Sequence, residues 1–282
     1  MSDNKFTRRD FLRSSSLLAG GAVAGALTLS GCVSSTKGKF SPPKAGRAVL
    51  WVGGFAHDFD AFAEIMTGFL PEQVPVDIEV VRDGSFLDSP QARALDVIIM
   101  NHCFKSADGV LTEGQKRNLL EIIRSGVGVV AVHASYYSFP EWDECREIYG
   151  ATFIKHGEVD IMIEVTVTDK NHPITRGLPD SFESHSELYQ STALADDCRV
   201  LAVAKEKGTE QEYPSVWTRK YGDGRVVTIL PAHWPDSYRS KHFQKLIVES
   251  VRWAMGSQPH FSEAGVPNAT FAMTERKGVK SL

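Results

Sequence analysis

Apolar runs that read as strands alternate along this chain with apolar stripes at helical spacing. Ala48–Gly53 is a short apolar run closed by Gly-Gly, a first strand. Phe59, Phe62, Ile65, Met66 and Phe69 follow at the spacing of one helix face. Val76–Val81 alternates and predicts a second strand, and Ala94–Asn101 is the near-continuous apolar run of a strand covered on both faces. Thr112 opens a helix with a capping-box pattern completed by Gln115, and that helix carries Leu119, Leu120, Ile122 and Ile123 before ending at Gly126. Val129–Val132 is the next strand, and it turns sharply into His133-Ala134-Ser135. This rhythm predicts a single-domain α/β fold with a largely parallel central sheet and helices on both faces. Ligands of such a sheet gather at the carboxyl ends of its strands.

The second half is less regular. Val159–Thr168 alternates apolar and polar, and HPITRGLP (172–179) is a turn-rich loop. Arg199–Ala204, Ser215–Arg219 and Gly224–Leu230 predict strands. A closing helix, Lys241–Met255, places Phe243, Leu246, Ile247, Val251 and Ala254 on one face.

The start of the chain has a different character. Thr7-Arg8-Arg9-Asp10-Phe11-Leu12 is a twin-arginine export pattern, and the apolar segment Leu17–Leu29 behind it is too short for a membrane span. Its ending, Leu29-Ser30-Gly31-Cys32, resembles a bacterial lipobox. The expectation is a signal peptide over 1–31, cleavage before Cys32, a lipid on its sulfur, and a membrane-anchored protein of the bacterial cell envelope. An ordinary cleaved signal with a chance cysteine is the alternative. Residues 32–46 then form a tether, 47–257 the domain and 258–282 a C-terminal tail.

Removing 1–31 takes away four basic and two acidic residues and leaves 27 against 33. That acidic balance excludes a nucleic-acid partner, which needs a basic surface. After Cys32, only Cys103, Cys145 and Cys198 remain, with no CxxC knuckle and no disulfide framework, although one disulfide is compatible with an oxidising envelope.

The histidines carry the candidate chemistry. His102, His133 and His233 each stand just beyond the carboxyl end of a predicted strand. His156 with Glu158, and His185 with Glu187, are spaced by two, which places each pair on one side of an extended chain. His57, in the first strand–helix loop, is placed to reach the same rim. His172 precedes a proline in a turn, and His242 and His260 read as solvated. Tyr136, Tyr137, Phe139, Trp142, Tyr189, Trp217 and Trp234 flank these segments, most of them as core, with aromatic faces suited to sugar rings where they reach a rim.

The segments VLWVGGFAHDF, LTEGQKRNLLEIIRSGVGVVAVHAS, ATFIKHGEVDIMIEVTVTDKNHPITRGLP, ELYQS, PSVWTRKYGDGRVVTILPAHW and VRWAMG run from Ala48 to Gly256 in order. On them the chain resembles the ThuA-like (trehalose utilisation) family, which shares the class I glutamine amidotransferase-like, flavodoxin-like fold. It departs from that pattern at Ser186, where an acidic residue is common, and at Ala232, where a glycine is. The resemblance implies carbohydrate metabolism, with trehalose-like disaccharides and their 3-keto forms as substrates.

In amidotransferases of this fold the strand-to-helix elbow holds a cysteine served by a late histidine. Here the elbow holds His133, so no thiolate can form the acyl intermediate and glutamine hydrolysis by that route is excluded. The late histidine is His233. Two facing imidazoles, completed by His156 and Glu187, suit a divalent transition metal with an open position. His102, His185, Tyr136 and Trp234 are further candidates for the pocket. In that reading His233 serves as base and Glu158 as the acid. A metal-free pocket using His133 and His233 as acid and base is the alternative. Two classes of function stand: a metal-assisted lyase, isomerase or hydrolase of a sugar or keto-sugar, and a non-catalytic carbohydrate-binding lipoprotein.

Overall fold

Strand β1 (Gly46–Gly54) leads through helix α1 (Phe59–Gln73) to β2 (Val76–Val81). β3 (Val97–Cys103), α2 (Glu113–Arg124) and β4 (Gly128–Val132) follow. These come from a computed structural model that describes residues 45–107 and 110–256. The expected signal peptide, Cys32, the tether up to residue 44 and the tail at 258–282 lie outside the described residues. The capping box forms as its residues dictate: Thr112 Oγ1 accepts from the Gln115 amide while the Gln115 side chain accepts from the Thr112 amide.

The later elements are α3 (Asp143–Tyr149), β5 (Phe153–His156), β6 (Ile161–Val167), β7 (Ser181–Ser186) and β8 (Tyr189–Ser191). β9 (Arg199–Glu206), β10 (Tyr213–Tyr221), β11 (Gly224–Ile229), α4 (Pro235–Arg239) and α5 (Lys241–Ala254) complete them. Nine strands form one sheet in the order β2-β1-β3-β4-β11-β10-β9-β6-β7, and β5 pairs with β8 in a separate ribbon. The five strands from β2 to β11 are parallel, as expected. The other four extend the sheet in antiparallel fashion. The reason is connection length: β10 and β11 are joined by Gly222-Asp223, which permits a hairpin and no crossover.

Helices cover both faces. Phe62, Met66 and Leu70 of α1 pack on one face with Leu246, Ile247 and Val251 of α5. Leu119, Ile122 and Ile123 of α2 pack on the other with Ile148 and Tyr149 of α3. β3 runs two residues past its predicted end, because Gly53 and Gly54 let β1 stay paired with His102 and Cys103. Gly54 holds φ 103°, and a Cβ there would lie 1.9 Å from the Cys103 carbonyl oxygen. His102 is therefore inside the strand and not beyond it.

Candidate functional site

β4 and β11 are parallel neighbours, and their pairing of Val132 with Ile229 sets His133 beside Leu230. His133 takes φ 46°, a left-handed conformation at a non-glycine residue. Such a conformation costs roughly 1–3 kcal/mol, and surrounding structure must hold it. Part of that hold is a hydrogen bond in which His133 Nδ1 donates to the Leu230 carbonyl at 2.7 Å. A carbonyl only accepts, so the proton is on Nδ1 and Nε2 presents a lone pair.

Three groups meet at that lone pair. His233 Nδ1, from the loop between β11 and α4, lies 3.0 Å from His133 Nε2. Glu187 Oε1, from the bend between β7 and β8, lies 3.1 Å from His133 Nε2 and 3.2 Å from His233 Nδ1. The Tyr238 hydroxyl donates to the His233 backbone oxygen at 2.7 Å and fixes that loop. His57, next to the Asp58 cap of α1, brings a fourth donor. Its Nδ1 lies 3.2 Å from the Phe55 carbonyl, and its Nε2 is buried without a partner. Its ring lies 5.0 Å from that of His133 and 4.5 Å from that of His233. One donor atom from each of the four residues lies within 4.8 Å of the others.

The electrostatics disfavour a proton on the free nitrogens of His57 and His133 and on Glu187. Burial, then the neighbouring His133, pulls His57 down to about 3. Burial likewise lowers His133. Burial alone would raise Glu187, but its hydrogen bonds to His133 and His233 outweigh this and hold it well below the carboxylate range. The protons of His57 and His133 are spent on backbone carbonyls. The lone pairs of His57 Nε2 and His133 Nε2 and the carboxylate of Glu187 therefore converge beside His233 Nδ1. Such a set could hold a metal ion, and its donor atoms, three imidazole nitrogens and one carboxylate oxygen, are of the kind that zinc and its neighbours take.

The remaining candidates fall elsewhere. His156 Nδ1 lies 3.1 Å from Glu187 Oε2 and 2.8 Å from the Gly157 carbonyl, so it touches the far oxygen of the carboxylate and not the cluster. Glu158 is exposed beyond β5, outside the group of converging donors. His102 is corrected outright: one step of strand alternation turns it onto the opposite side of β3 from Cys103. There Nδ1 lies 2.8 Å from Ser138 Oγ and the ring 4.4 Å from Trp51. Tyr136 is core, with its ring 5.5 Å from Trp217 and 5.7 Å from Tyr149. His185 lies between Asp160 at 2.5 Å and Asp236 at 3.0 Å. Trp234 lies 4.5 Å from His233, ring to ring, and Tyr189 stacks on His133 at 4.6 Å. The sequence places His57 no nearer than the rim; its signal is a histidine three residues past a Gly-Gly strand end.

Cys103, Cys145 and Cys198 are all free and buried. Burial, then Glu187, pushes the Cys103 thiol up to about 12, which leaves it no thiolate. An open cleft of about 770 Å³ lined by Arg146, Thr152, Thr192 and Arg219 shares no residue with the cluster.

The family model for trehalose utilisation, ThuA, matches residues 47–254. Among solved structures, the fold is similar to that of a ThuA-like protein from Parabacteroides merdae (TM-score 0.64, 19% identity), covering 76% of this chain and 91% of that one. A ThuA-like protein from Bacteroides uniformis gives 0.63 and 22%, covering 75% and 92%. A cytoplasmic protein from Salmonella typhimurium gives 0.54 and 13%, covering 73% and 99%. Among curated proteins, none matches the chain.

Proposed function

The chain belongs to the ThuA family, and on that premise we propose that it is a carbohydrate-metabolism enzyme of the cell envelope, with a divalent metal held by His57, His133, Glu187 and His233. Its substrate is a disaccharide or the 3-keto derivative of one. The family supplies the sugar. The meeting of His133 Nε2, His233 Nδ1 and Glu187 Oε1 at 3.0–3.2 Å, with His57 Nε2 unpartnered beside them, supplies the chemistry.

When bound, a divalent ion acts as a Lewis acid that stabilises an oxygen gaining negative charge. The chain's own residues hold three imidazoles and one carboxylate in a largely buried cluster, with the Phe55 and Leu230 carbonyls fixing two of the rings. His57 is the least buried of the four. The rings of Tyr189 and Trp234 beside His133 and His233 suit the apolar faces of a sugar. A ketone at C3 acidifies the neighbouring C–H bonds, which opens the way to elimination, isomerisation or hydrolysis of the glycosidic bond. His233 serves as the base only in a metal-free pocket, since its Nδ1 is otherwise one of the donors.

The test is elemental analysis of chain purified without chelator, then incubation with 3-keto-trehalose in deuterated water. Bound metal, with deuterium appearing beside the ketone, supports the reading. Tight sugar binding with neither exchange nor turnover assigns the chain instead to non-catalytic carbohydrate binding. The envelope location rests on the twin-arginine and lipobox segments. Mass spectrometry of the mature N-terminus checks it, since an unlipidated start beyond Cys32 rules out the anchor.

A further inference from the structure

Glu187 is held from both sides. Its Oε1 lies 3.1 Å from His133 Nε2 and 3.2 Å from His233 Nδ1, and its Oε2 lies 3.1 Å from His156 Nδ1, which is hydrogen-bonded to the Gly157 carbonyl at 2.8 Å. His156 is 40% exposed, so packing does not force it into that place. It opens a short segment, 156–160, tied down at two more points. Trp234 Nε1 donates to the Val159 carbonyl at 3.1 Å, and Asp160 Oδ1 lies 2.5 Å from His185 Nε2. Each tie ends on a residue that is in the cluster or close to it in sequence: Glu187 itself, the neighbour of His233, and the residue two before Glu187.

Resting on the metal reading above, we propose that His156 is a positioning residue for Glu187 and that segment 156–160 is a strap setting the affinity of the metal centre. The physical reason is the carboxylate's freedom. A carboxylate with both oxygens unclaimed can rotate about its last bond and offer either one or both. With His156 Nδ1 standing 3.1 Å from Oε2, that oxygen is kept to one side and Glu187 presents Oε1 to His133 Nε2 and His233 Nδ1. Partners that orient a ligand in this way are worth about 10- to 100-fold in metal affinity. His156 therefore supplies orientation and not a bond to the ion.

The experiment titrates the full chain, stripped of metal, with Zn²⁺ alone against a chromophoric chelator. Wild type is expected to bind one ion. His156→Ala is expected to bind one ion about 10- to 100-fold more weakly, with the Tm of the metal-free protein unchanged because the side chain is half-exposed. His156→Asn, whose amide N–H can reach the same oxygen, is expected to restore most of the affinity. Asp160→Ala, which cuts the strap at its far end without touching a ligand, is expected to weaken binding several-fold. Unchanged affinity in His156→Ala overturns the positioning role. Loss of stoichiometric binding in both His156→Ala and His156→Asn overturns it in favour of direct ligation. Unchanged affinity in Asp160→Ala overturns the strap while sparing His156. A wild type that binds no Zn²⁺ overturns the metal reading itself, and the proposal with it.

Discussion

His133 Nε2 lies 3.0 Å from His233 Nδ1, although 100 residues separate them in the chain. The neighbouring strands β4 and β11 end level with one another; His133 directly follows β4, and His233 returns to it from the loop after β11. The left-handed backbone at His133 belongs to the sharp strand-to-helix turns that expose a nucleophile in other α/β enzymes. With an imidazole there and no thiolate at Cys103, the same turn presents a nitrogen lone pair. The elbow is kept and its chemistry is changed.

The buried histidines set the pH dependence of stability. His57 and His102 are held down to about 3 and His172 to about 4, and His133 is also lowered, in each case chiefly by burial. The unfolded chain takes up these protons near 6.5, so below that pH the unfolded state binds more protons and is favoured. Stability is thus fully present above about 6.5 and falls with pH toward 4, by up to about 1.4 kcal/mol per pH unit for each fully buried group. His185 works the other way: Asp160 and Asp236 outweigh its burial and raise it. Thermal melts of metal-free protein from pH 8 to 5 check this, and a flat Tm over pH 7 to 5 contradicts it.

The sequence carried the frame of this site but not its membership. The parallel half was legible because buried strands such as β3 and β4 are continuous apolar runs and α2 has a full capping box. The short pieces β5, β7, β8 and α4 were not, since SFESHS is polar and Tyr189–Ser191 is too short for any period to register. His133, His233 and Glu187 were found because two stand at strand ends and the third matches a family segment. His102 was misplaced by a strand that runs two residues further than its apolar run. The exchange of His57 for His156 is a matter of reach across loops, which spacing along one chain does not encode.

Two glycines give opposite outcomes. Gly54→Ala places a Cβ 1.9 Å from the Cys103 carbonyl at φ 103°, so the ends of β1 and β3 must part. The expected cost is about 3 kcal/mol, a fall in Tm on the order of 10 °C. Gly68→Ala, on the exposed side of α1 with nothing within 4 Å, is expected to stabilise by about 0.5–1 kcal/mol. Paired thermal melts decide both signs.

Thr112→Ala removes one half of the capping box that starts α2. The Gln115 amide loses its acceptor, and the expected loss is about 1 kcal/mol. Because no proposed ligand lies on α2, Zn²⁺ affinity should be unchanged. A shift in affinity as large as the shift in stability would mean that α2 is coupled to the site.

The last prediction separates the histidines that make the centre from those that merely stand near strand ends. His133→Ala and His57→Ala each remove a donor whose other nitrogen is spent on a backbone carbonyl. Each is expected to lower Zn²⁺ binding by at least about 100-fold, since a lost ligand costs more than a lost orienting partner. His57 lies in a loop and His133 opens the 3-10 turn after β4, outside the sheet and the long helices, so the folded state should persist in circular dichroism. His102→Met is the contrasting change. It replaces a neutral ring packed against Trp51, Phe104 and Phe139 with an apolar chain of similar size. It removes a hydrogen-bonding partner of Ser138 Oγ, which still has the His102 carbonyl to donate to. Metal content and affinity should therefore match wild type, with a stability change of about 1 kcal/mol or less. It should also flatten the pH profile below 6.5, because one buried neutral histidine is gone. Retained affinity in His57→Ala together with lost affinity in His102→Met would move the centre to the other side of β3.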